Sequence, residues 1–366
     1  MKSVRKKAVL VIAVGCAVAL LVVAGLTDLP RRIVAGSSGR ADRAAADWRD
    51  WDPATWARDN SAFLNPVVKG LWNPERMRKS GSSDRPVRQD VGVDEPGLSD
   101  PEPAPVAAEP VPAPYRENAP VVGKLFFDTP DGPSVCSGTV VSDPAQPGAS
   151  DLVWTAGHCV HAGAGGGWYR NIVFVPAYND PAATRTAGMG REQLAPFGVW
   201  WADGARTSPQ WISQGRATGG DGSPFDFAVL HVKRTDAAGA ASLEESVGAA
   251  ADLGFAAPRT QDVAAMELWG YPAVQPFDGE RMFRCRSRPG RLSVKADQPS
   301  LYRAGCTMTG GSSGGGWFIE GTDGKPTLVS NTSIGPDNQS WLAGPRLGRE
   351  ARAMYETLSG QFAGRG

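Results

Sequence analysis

Histidine is scarce in this chain: three residues in 366, at His158, His161 and His231. With so few, and with cysteine spacings that fit no zinc pattern, no metal site is expected. Net charge is lacking too. The 38 basic residues balance 38 acidic ones, which removes the electrostatic case for nucleic acid as a partner. No repeat of solenoid period is present. Helical periodicity is missing until the very end of the chain. Instead, 45 glycines and 30 prolines cut the apolar residues into short runs, which favours a loop-rich all-β core over a helical bundle.

One long apolar run does occur, at residues 8–26, behind Lys2, Arg5, Lys6 and Lys7. It is longer than most signal-peptide cores and close to the roughly 20 residues that span a bilayer. Two readings stand: a signal peptide cut after a small residue such as Ala24, or a retained membrane anchor. A lipidated Cys16 is a third. All three place the rest of the chain outside the cytoplasm, secreted or anchored through residues 8–26. Cys136, Cys159, Cys285 and Cys306 remain, an even number that suits two disulfides in an oxidising compartment.

Residues 27–118 differ in texture, rich in Arg, Asp, Ser and Pro. The run 95–114, "EPGLSDPEPAPVAAEPVPAP", reads as a stiff, largely disordered linker with no core of its own. Upstream lie Trp48, Trp51, Trp56, Phe63 and Trp72, so the segment is either a pro-segment that packs on the β-rich region or a stalk. From about residue 119 short β-prone strings appear: "KLFF", "SGTVV", "DLVWTAG", "NIVFVPAY", "FGVWW" and "DFAVLHV". A second set holds "AMELWGYP", "MFRCRS", "GGWFIE" and "PTLVSNTS". A gap of Ala, Gly and Glu at 237–250 separates them, which predicts two β halves forming a sandwich or barrels. Leu347, Ala351, Met354, Tyr355 and Leu358 then recur at helical spacing, with Gly360 as the expected C-cap.

Three strings carry chemistry. "TAGHC" places His158 at a strand end beside Cys159, and a Cys136–Cys159 bridge would pin that loop, typically worth about 2–4 kcal/mol. "TGGSSGGGW" surrounds Ser313 with glycines, which allow a sharp turn and close substrate approach. There the amides of Gly311 and Ser313 are placed to receive an oxyanion. Ser312 is the rival nucleophile; Ser313 is preferred because it directly precedes the glycines. "DFAVL" buries an acid, Asp226, at the start of an apolar strand, where it can hold a histidine in one tautomer. Asp221 is its rival. His161 and His231 need no function.

In the order His, Asp, Ser, these strings resemble those of the trypsin-like serine peptidases, nearest the bacterial branch that includes glutamyl endopeptidases. The resemblance runs over residues 121–358, with "VGKLFF" similar to the start of a mature catalytic domain. It implies two six-stranded antiparallel barrels packed face to face, with the C-terminal helix appended and His158, Asp226 and Ser313 in the cleft. It further implies a monomer that needs no cofactor, takes a polypeptide substrate and touches a membrane only through its N-terminal segment. His158 would take the Ser313 proton during attack on a carbonyl, and water would then cleave the acyl-enzyme. Cys285 and Cys306 would pair near Ser313.

The chain also departs from that family. Trypsin has an aspartate before the nucleophile that pairs with a new N-terminal amine; here the residue is Ser312. Trypsin's pocket acid is replaced by Thr307. The glutamyl enzymes' hydroxyl is replaced by Met308, and their histidine is missing from "LVSNTS". Thr307, Met308, Ser330, Asn331 and Thr332 are therefore expected to line a pocket for a small or apolar residue. A peptidase-like surface binding protein with little or no turnover is the alternative; an esterase has no feature in its favour.

Overall fold

The computed structural model describes residues 61–82, 86–87, 98–218, 220–235, 241–321 and 324–364. The apolar run at 8–26 and Trp48, Trp51 and Trp56 lie outside these residues. Among the described residues no helix is long and apolar enough to cross a membrane.

The first set of strings becomes β1 (Val122–Thr129), β2 (Gly132–Val141), β3 (Leu152–Thr155), β4 (Arg170–Pro176), β5 (Trp200–Thr207) and β6 (Ala228–Arg234). These pair antiparallel in the order β2-β1-β4-β5-β6-β3, and β3 pairs again with β2. The barrel is thus closed. Leu125, Phe127, Val140, Val153, Phe174 and Leu230 fill it. The string "KLFF" does not alternate because β1 is buried on both faces. Leu125 and Phe127 point into the barrel, while Phe126 packs outward with Trp72 and Met77. Lys124 is buried there too, donating to the Gly279 carbonyl at 2.7 Å. Burial pulls its pKa down to about 8, opposed by the charges of Glu280 and Asp278.

The second set becomes β7 (Met266–Gly270), β8 (Phe283–Ser287), β11 (Gly316–Glu320) and β12 (Pro326–Asn331). Three strands less visible in the sequence join them: β9 (Gly290–Leu292), β10 (Leu301–Gly305) and β13 (Trp341–Gly344). A second closed barrel was expected. Among the described residues the strands of this half form two ladders, β12-β11-β7-β8 and β9-β10-β13, joined just past β12, where Ile334 pairs antiparallel with Ala343 of β13. Both contribute to one core, with Leu268, Phe283, Trp317 and Val329 from the first and Tyr302, Ala304 and Leu342 from the second. The Cys285–Cys306 disulfide joins β8 to the residue after β10.

Two stretches expected to be pro-segment or linker are ordered parts of the molecule. Asn65 bonds both the amide and carbonyl of Ile172 at 3.0 Å and the Ala202 carbonyl at 2.8 Å, bridging β4 and β5. Trp72 donates to Asn171 O at 2.6 Å, and Arg76 pairs with buried Asp128 at 2.6 Å. Residues 98–114 run extended along the second half, with Glu109–Pro110 paired to β8. The expectation of disorder is corrected over this stretch. Proline-rich chain cannot build a core, but its carbonyls and remaining amides can complete another's edge.

The C-terminal helix spans Arg349–Phe362 and passes the expected stop at Gly360. Phe362 explains the extension: its ring stacks on His231 at 3.7 Å. Ala351, Met354, Tyr355 and Leu358 pack with Phe318 and Leu328, so the helix seals residues from both halves.

Candidate active site

β3 ends at Thr155, and a single 3-10 turn, Gly157–Cys159, carries His158. The Cys136–Cys159 disulfide ties that turn to β2. Asp226 stands just before β6, fully buried. Its Oδ2 meets His158 Nδ1 at 2.7 Å, and its Oδ1 accepts from the His158 amide at 2.8 Å. Ser333 donates a third hydrogen bond to Oδ2 at 2.6 Å. Asn331 holds the Asp226 carbonyl at 3.0 Å and is itself held by Trp154 at 3.0 Å. This carboxylate is therefore fixed from several sides. His158 Nε2 is buried and meets no hydrogen-bond partner among the described residues.

The glycine turn reaches this histidine through β2. The Ser137 amide donates to Ser313 O at 2.7 Å, and the Ser137 hydroxyl donates to Gly311 O at 2.9 Å. Ser137 also accepts from the Tyr271 amide at 2.9 Å, so one buried hydroxyl joins both halves and the turn. A side chain at Gly314 would collide with Thr155 Oγ1, and its positive φ of 79° favours glycine as well. The turn thus lies directly on the strand end that leads to His158. Among the described residues the Gly311 and Ser313 amides donate to no other group.

The rivals are engaged elsewhere. Ser312 donates its hydroxyl to Thr309 O at 2.7 Å. Asp221 pairs with Lys295 at 2.9 Å and Arg216 at 3.3 Å. Cys136, His158 and Cys159 lie close enough to hold a metal, but both sulfurs are consumed by the disulfide.

A cavity of about 200 Å³ opens beside Ser313. Met308 and Thr332 line it, whereas Thr307, Ser330 and Asn331 do not. Strand parity explains part of the difference: adjacent residues face opposite sides, so Asn331 turns back to Asp226 while Thr332 faces the cavity. Ser330 is buried under Gly344, and Thr307 bonds the proline-rich stretch. Sequence reasoning missed Ser333, Ile334, Pro336, Trp341 and Leu342 on the cavity wall. Serines carry little pattern, and β13 is too short to read.

His161 and His231 stand apart from this chemistry. His231 pairs with Asp203 at 2.6 Å. His161 accepts from the Gly163 amide at 3.0 Å, and burial pushes its pKa down from 6.5 to about 4. The folded state therefore favours neutral His161, while the unfolded chain protonates near 6.5. Stability should fall as pH drops from 6.5 toward 4, by up to about 1.4 kcal/mol per unit. His161→Asn, whose Oδ1 can accept the same amide, should flatten that loss. Urea unfolding at pH 4.5 and 7 checks it; an equal acid loss in the variant would contradict it.

No protein-family model matches the chain, and no curated protein does. Solved structures match strongly. A thermostable serine protease from an extremophilic microorganism, AL20, is 32% identical with a TM-score of 0.53, covering 66% of this chain and 98% of its own. The protease Anisep from Arthrobacter nicotinovorans is 28% identical with a TM-score of 0.52, covering 69% of this chain and 99% of its own. A chain that spans nearly the whole length of such an enzyme, at that identity and with a closed antiparallel barrel feeding the site, belongs to the chymotrypsin-fold serine proteases.

Proposed function

We propose that this chain is an exported serine endopeptidase that cleaves polypeptides through an acyl-enzyme formed on Ser313. The observation that carries this reading is the buried Asp226–His158 pair, beside a glycine turn that presents Ser313 to a cavity. His158 Nε2, which meets no hydrogen-bond partner among the described residues, is the base for the Ser313 hydroxyl. Asp226 keeps the proton on Nδ1 and stabilises the imidazolium that forms. The Gly311 and Ser313 amides receive the oxyanion; losing one such donor typically costs about 10²–10³ in rate. The two disulfides support an extracytoplasmic site of action.

The cavity supports an apolar residue before the cleaved bond. Met308, Ile334, Pro336, Trp341 and Leu342 supply the apolar part of its wall, beside the polar Thr309, Thr332, Ser333 and Gln339. Asp337, the charged member of the lining, is exposed, and among the described residues no cationic side chain lines the cavity to meet a glutamate. A preference for glutamate is therefore not expected. Incubation with a denatured protein digest, followed by mass mapping, should show cuts after apolar residues. A majority of cuts after Glu, Lys or Arg would overturn the pocket assignment.

A further inference from the structure

Residues 98–118 read as a spacer in sequence, yet their contacts converge on the chain that forms the cavity. Glu102 accepts from the Ser340 hydroxyl at 2.8 Å. Ser340 stands between Gln339 and Trp341, both on the cavity wall. Four residues on, Val106 O accepts from the Thr307 amide at 2.9 Å. The Ala108 amide then donates to Thr307 Oγ1 at 2.9 Å. Thr307 immediately precedes Met308, where another part of the lining begins and runs to Ser313. Both of these Thr307 groups are thus engaged by this stretch.

The stretch is anchored at both ends. Upstream, the Asp100 carboxylate accepts from the Arg291 amide at 2.7 Å and from its guanidinium at 2.8 Å. Downstream, the Val111 amide bonds Met282 O at 3.0 Å. The Tyr115 hydroxyl, fully buried, accepts from the Met282 amide at 2.9 Å, and the Tyr115 ring meets Tyr271 edge-on. In between, a side chain on Gly305 would collide with Ala104 O, so β10 and the stretch are fitted at van der Waals contact. A leader designed to leave would not need a glycine beneath it.

We propose that residues 98–118 are a permanent, specificity-determining strap of the peptidase and not a removable leader. Thr307 and Ser340, held by Val106, Ala108 and Glu102, are positioning residues that set two parts of the cavity lining. The effect on substrate rests on the serine peptidase reading; the strap's hold on the wall does not.

Three full-length variants test it. Thr307→Val keeps shape but loses the acceptor, Ala108→Pro removes the donor, and Thr307→Ser retains the acceptor. Steady-state kinetics on a peptide with an apolar residue before the scissile bond would be compared with the labelling rate of a small fluorophosphonate that leaves the cavity empty. Thr307→Val and Ala108→Pro should raise KM about tenfold, the worth of one well-placed hydrogen bond. Both kcat and labelling should stay within about threefold, and Thr307→Ser should restore KM. An unmoved KM in folded Thr307→Val would overturn the proposal, as would Thr307→Ser behaving like Thr307→Val. So would KM, kcat and labelling failing together with the melting temperature. Hydrogen exchange at residues 305–309 should quicken in Ala108→Pro and does not depend on turnover. If the wild type neither cleaves nor labels, the peptidase reading fails while exchange still decides the strap. Sequencing of the exported protein should find a start before residue 98; a start at 119–122 would contradict the proposal directly.

Discussion

Ser313→Ala is expected to lower kcat for peptide hydrolysis by about 10⁶-fold while leaving the melting temperature within a few degrees. The loss is large because no neighbouring group can substitute. The Ser312 hydroxyl is committed to Thr309 O at 2.7 Å, and it is buried. Thr332, also on the cavity wall, accepts from Trp317 Nε1 at 2.9 Å. What survives would come from the Gly311 and Ser313 amides, which still polarise a carbonyl for attack by water. Substituting alanine removes one oxygen and adds no volume, so the turn, held through the Ser313 carbonyl to Ser137, has no reason to move. Kinetics on purified wild type, Ser313→Ala and Ser312→Ala would separate the two serines. Equal losses in both would mean that the turn, and not one hydroxyl, limits the rate.

Asp226→Asn should cost about 10⁴-fold in kcat, with the fold again intact. The reason is a donor count. The carboxylate accepts hydrogen bonds from the His158 amide, His158 Nδ1–H and the Ser333 hydroxyl. An asparagine has one accepting end. The His158 backbone N–H cannot rotate away, so it claims the amide oxygen, and the NH₂ group is turned toward Nδ1. Nδ1 must then become the acceptor, which moves the ring proton to Nε2. A histidine protonated at Nε2 cannot take the Ser313 proton. Ser333 can rotate its hydroxyl to suit, so stability should fall little. The kcat profile between pH 6 and 9 is the check. A variant within tenfold of wild type would show that Asp226 is a structural acid.

Much of this was legible because the relevant strings are local. "TAGHC", "DFAVL" and "TGGSSGGGW" each read as a strand end or a turn, and the structure places them there. Cys136 and Cys159, and Cys285 and Cys306, do pair. What escaped depends on contacts remote in sequence. Ser137 looks like any serine, yet it ties β2 to Gly311, Ser313 and Tyr271. Ser333 could be found only once Asp226 was placed. The order of residues 98–118 was not legible because composition reports whether a segment can fold alone, not whether it can complete the edge of something else. The strands "LYRAG" and "WLAG" are short and interrupted by glycine, and they gain their stability from each other and from Tyr302 and Leu342 in the shared core.

Everything proposed for the site requires Ser313 to be an activated nucleophile in the intact chain. Covalent labelling of the wild-type protein with a fluorophosphonate, followed by peptide mapping, addresses it most directly. One adduct per chain is expected, located on Ser313 and abolished by Asp226→Asn or prior denaturation. A folded protein that takes no label would contradict it and favour a binding protein on a peptidase scaffold.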